Sequence, residues 1–134
     1  MRRVVACGML WAAVSLAEEP KFELNGDAKK GETVYKQVCN ACHGPAGLSN
    51  GPASVALNPK PKSFADPEFI AAFNVERAYS IVKEGGVKHG LSPVMAPMSG
   101  ALNDQQLRDV TAYVVTLVPP PPATPAKPDP KKKK

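Results

Sequence analysis

Cys39, Asn40, Ala41, Cys42 and His43 run consecutively, so that two thiols three positions apart are followed at once by an imidazole. Each residue type brings its own reactivity. Thiols at this separation can add across two vinyl groups of a haem to form thioethers, and the adjoining imidazole is then held within reach of the iron. The row points to covalent haem attachment through Cys39 and Cys42, with His43 as the proximal iron ligand.

Three other chemistries use part of this row. A thioredoxin-like dithiol wants a strand ahead of it in a βαβ setting, whereas the residues leading into Cys39 read as a helix. A structural zinc wants four N or S ligands. Beyond its first residues the chain offers only Cys39, Cys42, His43 and His89, with His43 too near Cys42 for ordinary ligand spacing. A plain Cys39–Cys42 disulfide leaves His43 unexplained.

A haem iron bound by His43 needs a partner on its other face. Leu91 to Met98 lacks helical periodicity and is interrupted by Pro93 and Pro97, so it reads as a loop carrying two thioethers, Met95 and Met98. His89, in the polar turn before it, is the rival and would give bis-His ligation. On the proximal side a ligating imidazole usually donates its second N–H to an oxygen, which fixes the ring. The carbonyl of Pro52 is the candidate acceptor.

Helices must place these groups. Asp27 precedes a run of good helix formers, Ala28 to Val38, with Val34, Tyr35 and Val38 on one side and Lys29, Lys30 and Lys36 free to face water. Gly31 within it costs about 1 kcal/mol against alanine, which suggests a close helix contact there. Gly44 to Pro52 reads as a loop, and Pro59 to Phe64 as an extended stretch. Phe64 and Phe69 can cover one side of a haem or fill the core. Asp66-Pro67 opens a short helix through Phe73. Asn74 caps Val75 to Glu84, with Ala78, Ile81 and Val82 on one face, a solvated face of Glu76, Arg77, Lys83 and Glu84, and Gly85-Gly86 at the end. Asn103 with Gln106 starts the last helix in capping-box fashion, and Leu107, Val110, Val114 and Leu117 form its apolar stripe.

The ends differ from this body. Residues 1 to 17 have the charged start and short apolar run of a signal peptide, too short to span a bilayer, with Ser15-Leu16-Ala17 as the expected cleavage site. Cys7 and the only tryptophan, Trp11, would leave with it. Residues 18 to 26 are an N-terminal lead-in, 27 to 118 the folded domain, and 119 to 134 a disordered tail rich in Pro and Lys that ends in four lysines. The formal net charge of +5 is concentrated at the two ends, because residues 18 to 126 hold ten basic against eleven acidic side chains. Export excludes nucleic acid as a partner and leaves a weak contact of the basic tail with a membrane surface or envelope polymer. With 134 residues and eight aromatic side chains in all, the chain has material for one small core.

From about Asp27 to Val118 the chain resembles a class I c-type cytochrome. The likeness covers the helix ending in Cys39-Asn40-Ala41-Cys42-His43-Gly44, the Gly51-Pro52 turn, the Met95-Ala96-Pro97 loop and the helix from Leu107 to Leu117. It implies an all-α cytochrome c fold, a small helical domain wrapped around one covalently bound haem c and its iron. It also implies that the first and last helices cross at Gly31, Tyr35 and Tyr113. By position Met95, seven residues before Leu102, matches the family's axial methionine better than Met98, although Met-Ala-Pro departs from the commoner Met-Pro.

The expected function is that of a periplasmic electron carrier rather than an enzyme, monomeric, meeting donor and acceptor redox proteins briefly. If the leader is retained the protein would be membrane-associated. Two other readings stand beside it. One is a haem sensor or enzyme with an open or displaceable sixth site, and the other is a cytochrome module docked to a larger oxidoreductase complex.

Overall fold

The computed structural model describes residues 21–121. The leader and its cleavage site, the first part of the lead-in and the tail from 122 onward lie outside the described residues. Five helices are joined by loops and three 3₁₀ turns, without strands among the described residues. In chain order they are α1 (Ala28–Val38), α2 (Asn40–His43), α3 (Pro67–Ala72), α4 (Val75–Glu84) and α5 (Asp104–Leu117). This is the expected all-α architecture. No helix among the described residues is long and apolar enough to cross a membrane.

α1 starts where Asp27 accepts from the backbone N–H groups of Lys29 and Lys30, and α5 where Asn103 and Gln106 exchange bonds in a capping box. Each cap satisfies donors that a helix start leaves unpaired. The two helices pack on each other more extensively than any other pair. At their crossing Gly31 lies so close to α5 that a Cβ there would collide with the carbonyl of Asp109. The glycine is therefore required by the approach of two backbones. Tyr35, 1% exposed, meets Tyr113 edge-on at 5.2 Å between ring centroids. With Phe64, Val110 and Val114 it forms the core, over which Phe69, Phe73 and Leu117 are partly buried.

The stripe read for α5 is buried at Leu107, Val110 and Val114, but Asp109 and Thr111 are buried too. Both have local reasons. Thr111 returns its hydroxyl to the carbonyl of Leu107 at 2.8 Å. Asp109 Oδ1 accepts from the backbone N–H of Asp27 and from Gln105 Nε2, each at 2.8 Å, and so ties the start of α1 to α5. Hydrophobic periodicity carries no sign of either arrangement.

α4 keeps Glu76 and Arg77 exposed, as expected of its solvated face, and also packs on α5. Its buried residue is Tyr79, whose hydroxyl donates to Asp104 of α5. The Arg108 guanidinium lies 5.2 Å from the Tyr79 ring centroid and bonds Asp104 Oδ2 at 2.7 Å. Lys83, still partly exposed, stands over the same ring at 5.4 Å, and its ammonium is drawn there by the ring and by the Asp104 carboxylate 3.7 Å away. Glu84 pairs with Lys88 at 3.6 Å. On the other side of Tyr79, Phe22 packs at 5.4 Å, and Arg108 holds the lead-in by donating to the carbonyls of Glu23 (2.9 Å) and Leu24 (3.2 Å).

Two consequences can be measured. Gly31→Ala should lower stability by about 1–3 kcal/mol, the range for overpacking, in denaturant unfolding of the haem-loaded protein. The Asp104 carboxyl is held below its usual pKa, first by the Tyr79 hydroxyl and then by Arg108. A depressed native pKa stabilises above the unfolded value, roughly pH 4, and that stabilisation is lost as pH falls through the native one. The unfolding midpoint of Asp104→Asn should therefore lie below that of the parent at neutral pH, with the gap closing as pH falls below about 4.

Candidate functional site

α1 ends at Cys39, whose N–H still donates to Tyr35 O at 2.9 Å, and the chain turns directly into α2. The attachment row is thus a helical turn in its own right, where the sequence suggested only the end of a helix followed by loop. This turn carries the thiols of Cys39 and Cys42 and the His43 imidazole on one short segment. Both thiols are free and half-buried.

Burial, reinforced by Cys42, pushes the Cys39 thiol up to about 11. A redox dithiol of the thioredoxin kind needs a lowered thiol pKa, so this pair has the wrong electrostatics for that role as well as the wrong preceding element. Among the described residues no group of three or more His, Cys, Asp or Glu side chains is gathered where it could hold a metal ion. The zinc reading therefore lacks a ligand set.

Burial lowers the His43 pKa, which keeps the imidazole neutral and its lone pair available. Its Nδ1 is buried without a hydrogen-bond partner. The bond expected from His43 to the Pro52 carbonyl is therefore not made in this arrangement. Pro52 opens a 3₁₀ turn, Pro52–Ala56, and such a turn directs its carbonyls along the chain toward the residue three further on. The His43 ring packs against Phe64 at 5.3 Å and 30°, and Phe64 stacks on Phe69 at 5.2 Å. Of the two roles the sequence allowed, Phe64 fills the core, and it also packs on the imidazole.

Met95 is half-buried and its backbone is fixed from both sides. Its N–H donates to Ser92 O at 3.2 Å, and its carbonyl accepts from Gly86 N at 2.7 Å. Met98, also half-buried, starts a 3₁₀ turn, Met98–Gly100, that leads into α5. His89 is half-buried, and its Nε2 is buried without a hydrogen bond although Glu84 Oε2 lies 3.4 Å away.

These residues fit a covalently attached haem. The donor set is two free thiols and a neutral imidazole on one turn, and the imidazole has a buried nitrogen that the protein leaves unpaired. Large apolar side chains also stand exposed in the loop after His43 (Leu48, 46%), in the turn at Pro52 (Val55, 77%) and in the loop before Met95 (Leu91, 47%; Val94, 57%).

Comparison with known proteins agrees with the chemistry. The family model described as Cytochrome c matches residues 28–118. Cytochrome c-554(547) of Halothiobacillus neapolitanus is 30% identical to this chain over 95 residues, which is 69% of this chain and 98% of that protein. A solved structure, the KustC0563 c-type cytochrome, is 27% identical with a TM-score of 0.49, covering 65% of this chain and 95% of that one.

Proposed function

The chain belongs to the cytochrome c family, and on that premise we propose that it is a periplasmic one-electron carrier with His43 and Met95 as axial ligands. Membership brings a covalently bound haem c with its iron and a role in haem-based electron transfer. The observation that supports the finer reading is the helical turn that carries two free thiols and, next to them, the His43 imidazole.

When bound, the haem supplies an iron that alternates between Fe(III) and Fe(II). Cys39 and Cys42 hold it covalently, and His43 offers a neutral nitrogen whose ring is backed by Phe64. Met95 offers a thioether, a soft ligand that favours the reduced state. It is preferred to Met98 because its place seven residues before Leu102 matches the family's axial methionine. Ligands that keep their places leave no position for a substrate, and this supports a carrier rather than an enzyme.

The charged start and apolar run of residues 1 to 17 support export, and c-type haem is attached on the outer side of the bacterial inner membrane. Donor and acceptor proteins would meet the domain briefly, as a monomer, over a small and partly electrostatic interface. The tail from 119 to 134, with its terminal lysines, is available for a weak contact with anionic surfaces.

Spectra of the exported protein test this reading. The reduced form should show the sharp c-type α band, and the ferric form the weak long-wavelength band of a sulfur–iron bond. Met95→Leu should abolish the sulfur band and let the ferrous protein bind CO readily, while Met98→Leu should leave both properties unchanged. The opposite pattern would assign the ligand to Met98. A sulfur band absent from the parent protein would assign the position to His89 or leave it open, and with it favour a sensor or enzyme.

A further inference from the structure

Tyr35 does more at the helix crossing than fill space. Its hydroxyl is buried and donates to the carbonyl of Gly44, the residue after His43, at 2.8 Å. The same carbonyl accepts from Gly47 N at 3.1 Å, which closes the turn that follows α2. Gly47 O in turn accepts from Phe64 N at 2.8 Å, and Gly47 lies so close under the Phe64 ring that a side chain there would strike it. Phe64 is the ring that backs the His43 imidazole. The His43 carbonyl is also taken, by Ser49 N at 2.9 Å. A continuous set of buried contacts therefore runs from the Tyr35 hydroxyl, through two glycines of one turn, to the ring packed on His43.

We propose that Tyr35 is a positioning residue for the proximal ligand: through the Gly44 carbonyl and the 44–47 turn, its hydroxyl fixes where the His43 imidazole stands and thereby tunes the reduction potential. The inference rests on the reading of His43 as an axial haem ligand. A phenylalanine at position 35 would preserve the packing against Tyr113 and Val110 but remove the donor, so the hydroxyl's effect is separable from the ring's. Without it the Gly44 carbonyl keeps only the Gly47 donor, and more of its negative end stays uncompensated beside the site. A partial negative charge there favours the oxidised, more positive iron. Removing the hydroxyl should therefore lower the potential.

Tyr113→Phe provides the control, because Tyr113 shares the same aromatic pair but its hydroxyl takes no part in this set of contacts. The haem-loaded parent, Tyr35→Phe and Tyr113→Phe would be compared by redox titration and by the hyperfine-shifted NMR signals of the His43 ring in the ferric state. We expect Tyr35→Phe to lower the potential and move the His43 ring signals, with Tyr113→Phe unchanged in both. If Tyr35→Phe lowers only the unfolding midpoint and leaves potential and ring signals at the parent values, Tyr35 is structural and the proposal fails. Equal shifts in both variants would also overturn it, because they would trace to the aromatic packing. A parent protein that carries haem but shows no shifted His43 signals would instead remove the ligand reading on which the proposal stands.

Discussion

The approach of α1 to α5 at Gly31 is the constraint from which the rest of the molecule follows. Two helices can come this close only where one of them has no side chain, and the closeness is what seals Tyr35 and Val110 away from water. Because α1 runs directly into α2, fixing α1 on α5 also fixes the position of the two thiols and the imidazole. The attachment turn has only four residues and could not hold its shape alone, since an isolated helix of that length is far below the size that is stable in water. Its order is borrowed from the crossing.

Polar groups are used where the helices start and meet. Asp109 reaches back to the first N–H of the α1 cap, and Arg108 gathers the carbonyls of the lead-in while pairing with Asp104. The bonds of Asp109 to Asp27 and of Arg108 to Glu23 and Leu24 join residues more than eighty positions apart, so the two ends of the domain close on each other. Tyr79 extends the same arrangement to α4, with an apolar ring packed on Phe22 and a hydroxyl satisfied by Asp104. A buried Tyr or Asp in a small core is tolerated only when its polar atoms find partners, and here Tyr79 and Asp109 each find one on another element, Asp104 of α5 and the Asp27 cap of α1.

The surface that remains apolar is of another kind. Leu48, Val55, Leu91 and Val94 are exposed although the domain has few large hydrophobic residues to spare. They lie in loops rather than in the helices that make the core, and those loops carry or follow the residues assigned to the haem. In a family whose members bind haem c covalently, such side chains have an apolar prosthetic group to cover. The core is made by α1 and α5 together with the loop residue Phe64, which joins it to the site by packing on His43.

The sequence by itself determined the attachment row, because thioether formation and iron ligation require fixed residue types at fixed spacing. It also determined the helices with strong local signals: Asp27, Asn74 and Asn103 as caps, Pro67 at a helix start and Gly85 after a helix end all stand where they were read. The close contact at Gly31 could be inferred from a glycine that an isolated helix would not choose. What only the tertiary structure decided was which polar residues are buried and which partners they find, as at Asp109, Thr111 and Tyr79. The reason is physical. Caps and turns are governed by neighbours along the chain, whereas a buried hydroxyl or carboxylate is satisfied by groups that folding alone brings near. The Tyr35 hydroxyl is the clearest case, since its ring could be read from the helix but its acceptor, the Gly44 carbonyl, depends on how the turn after His43 folds back.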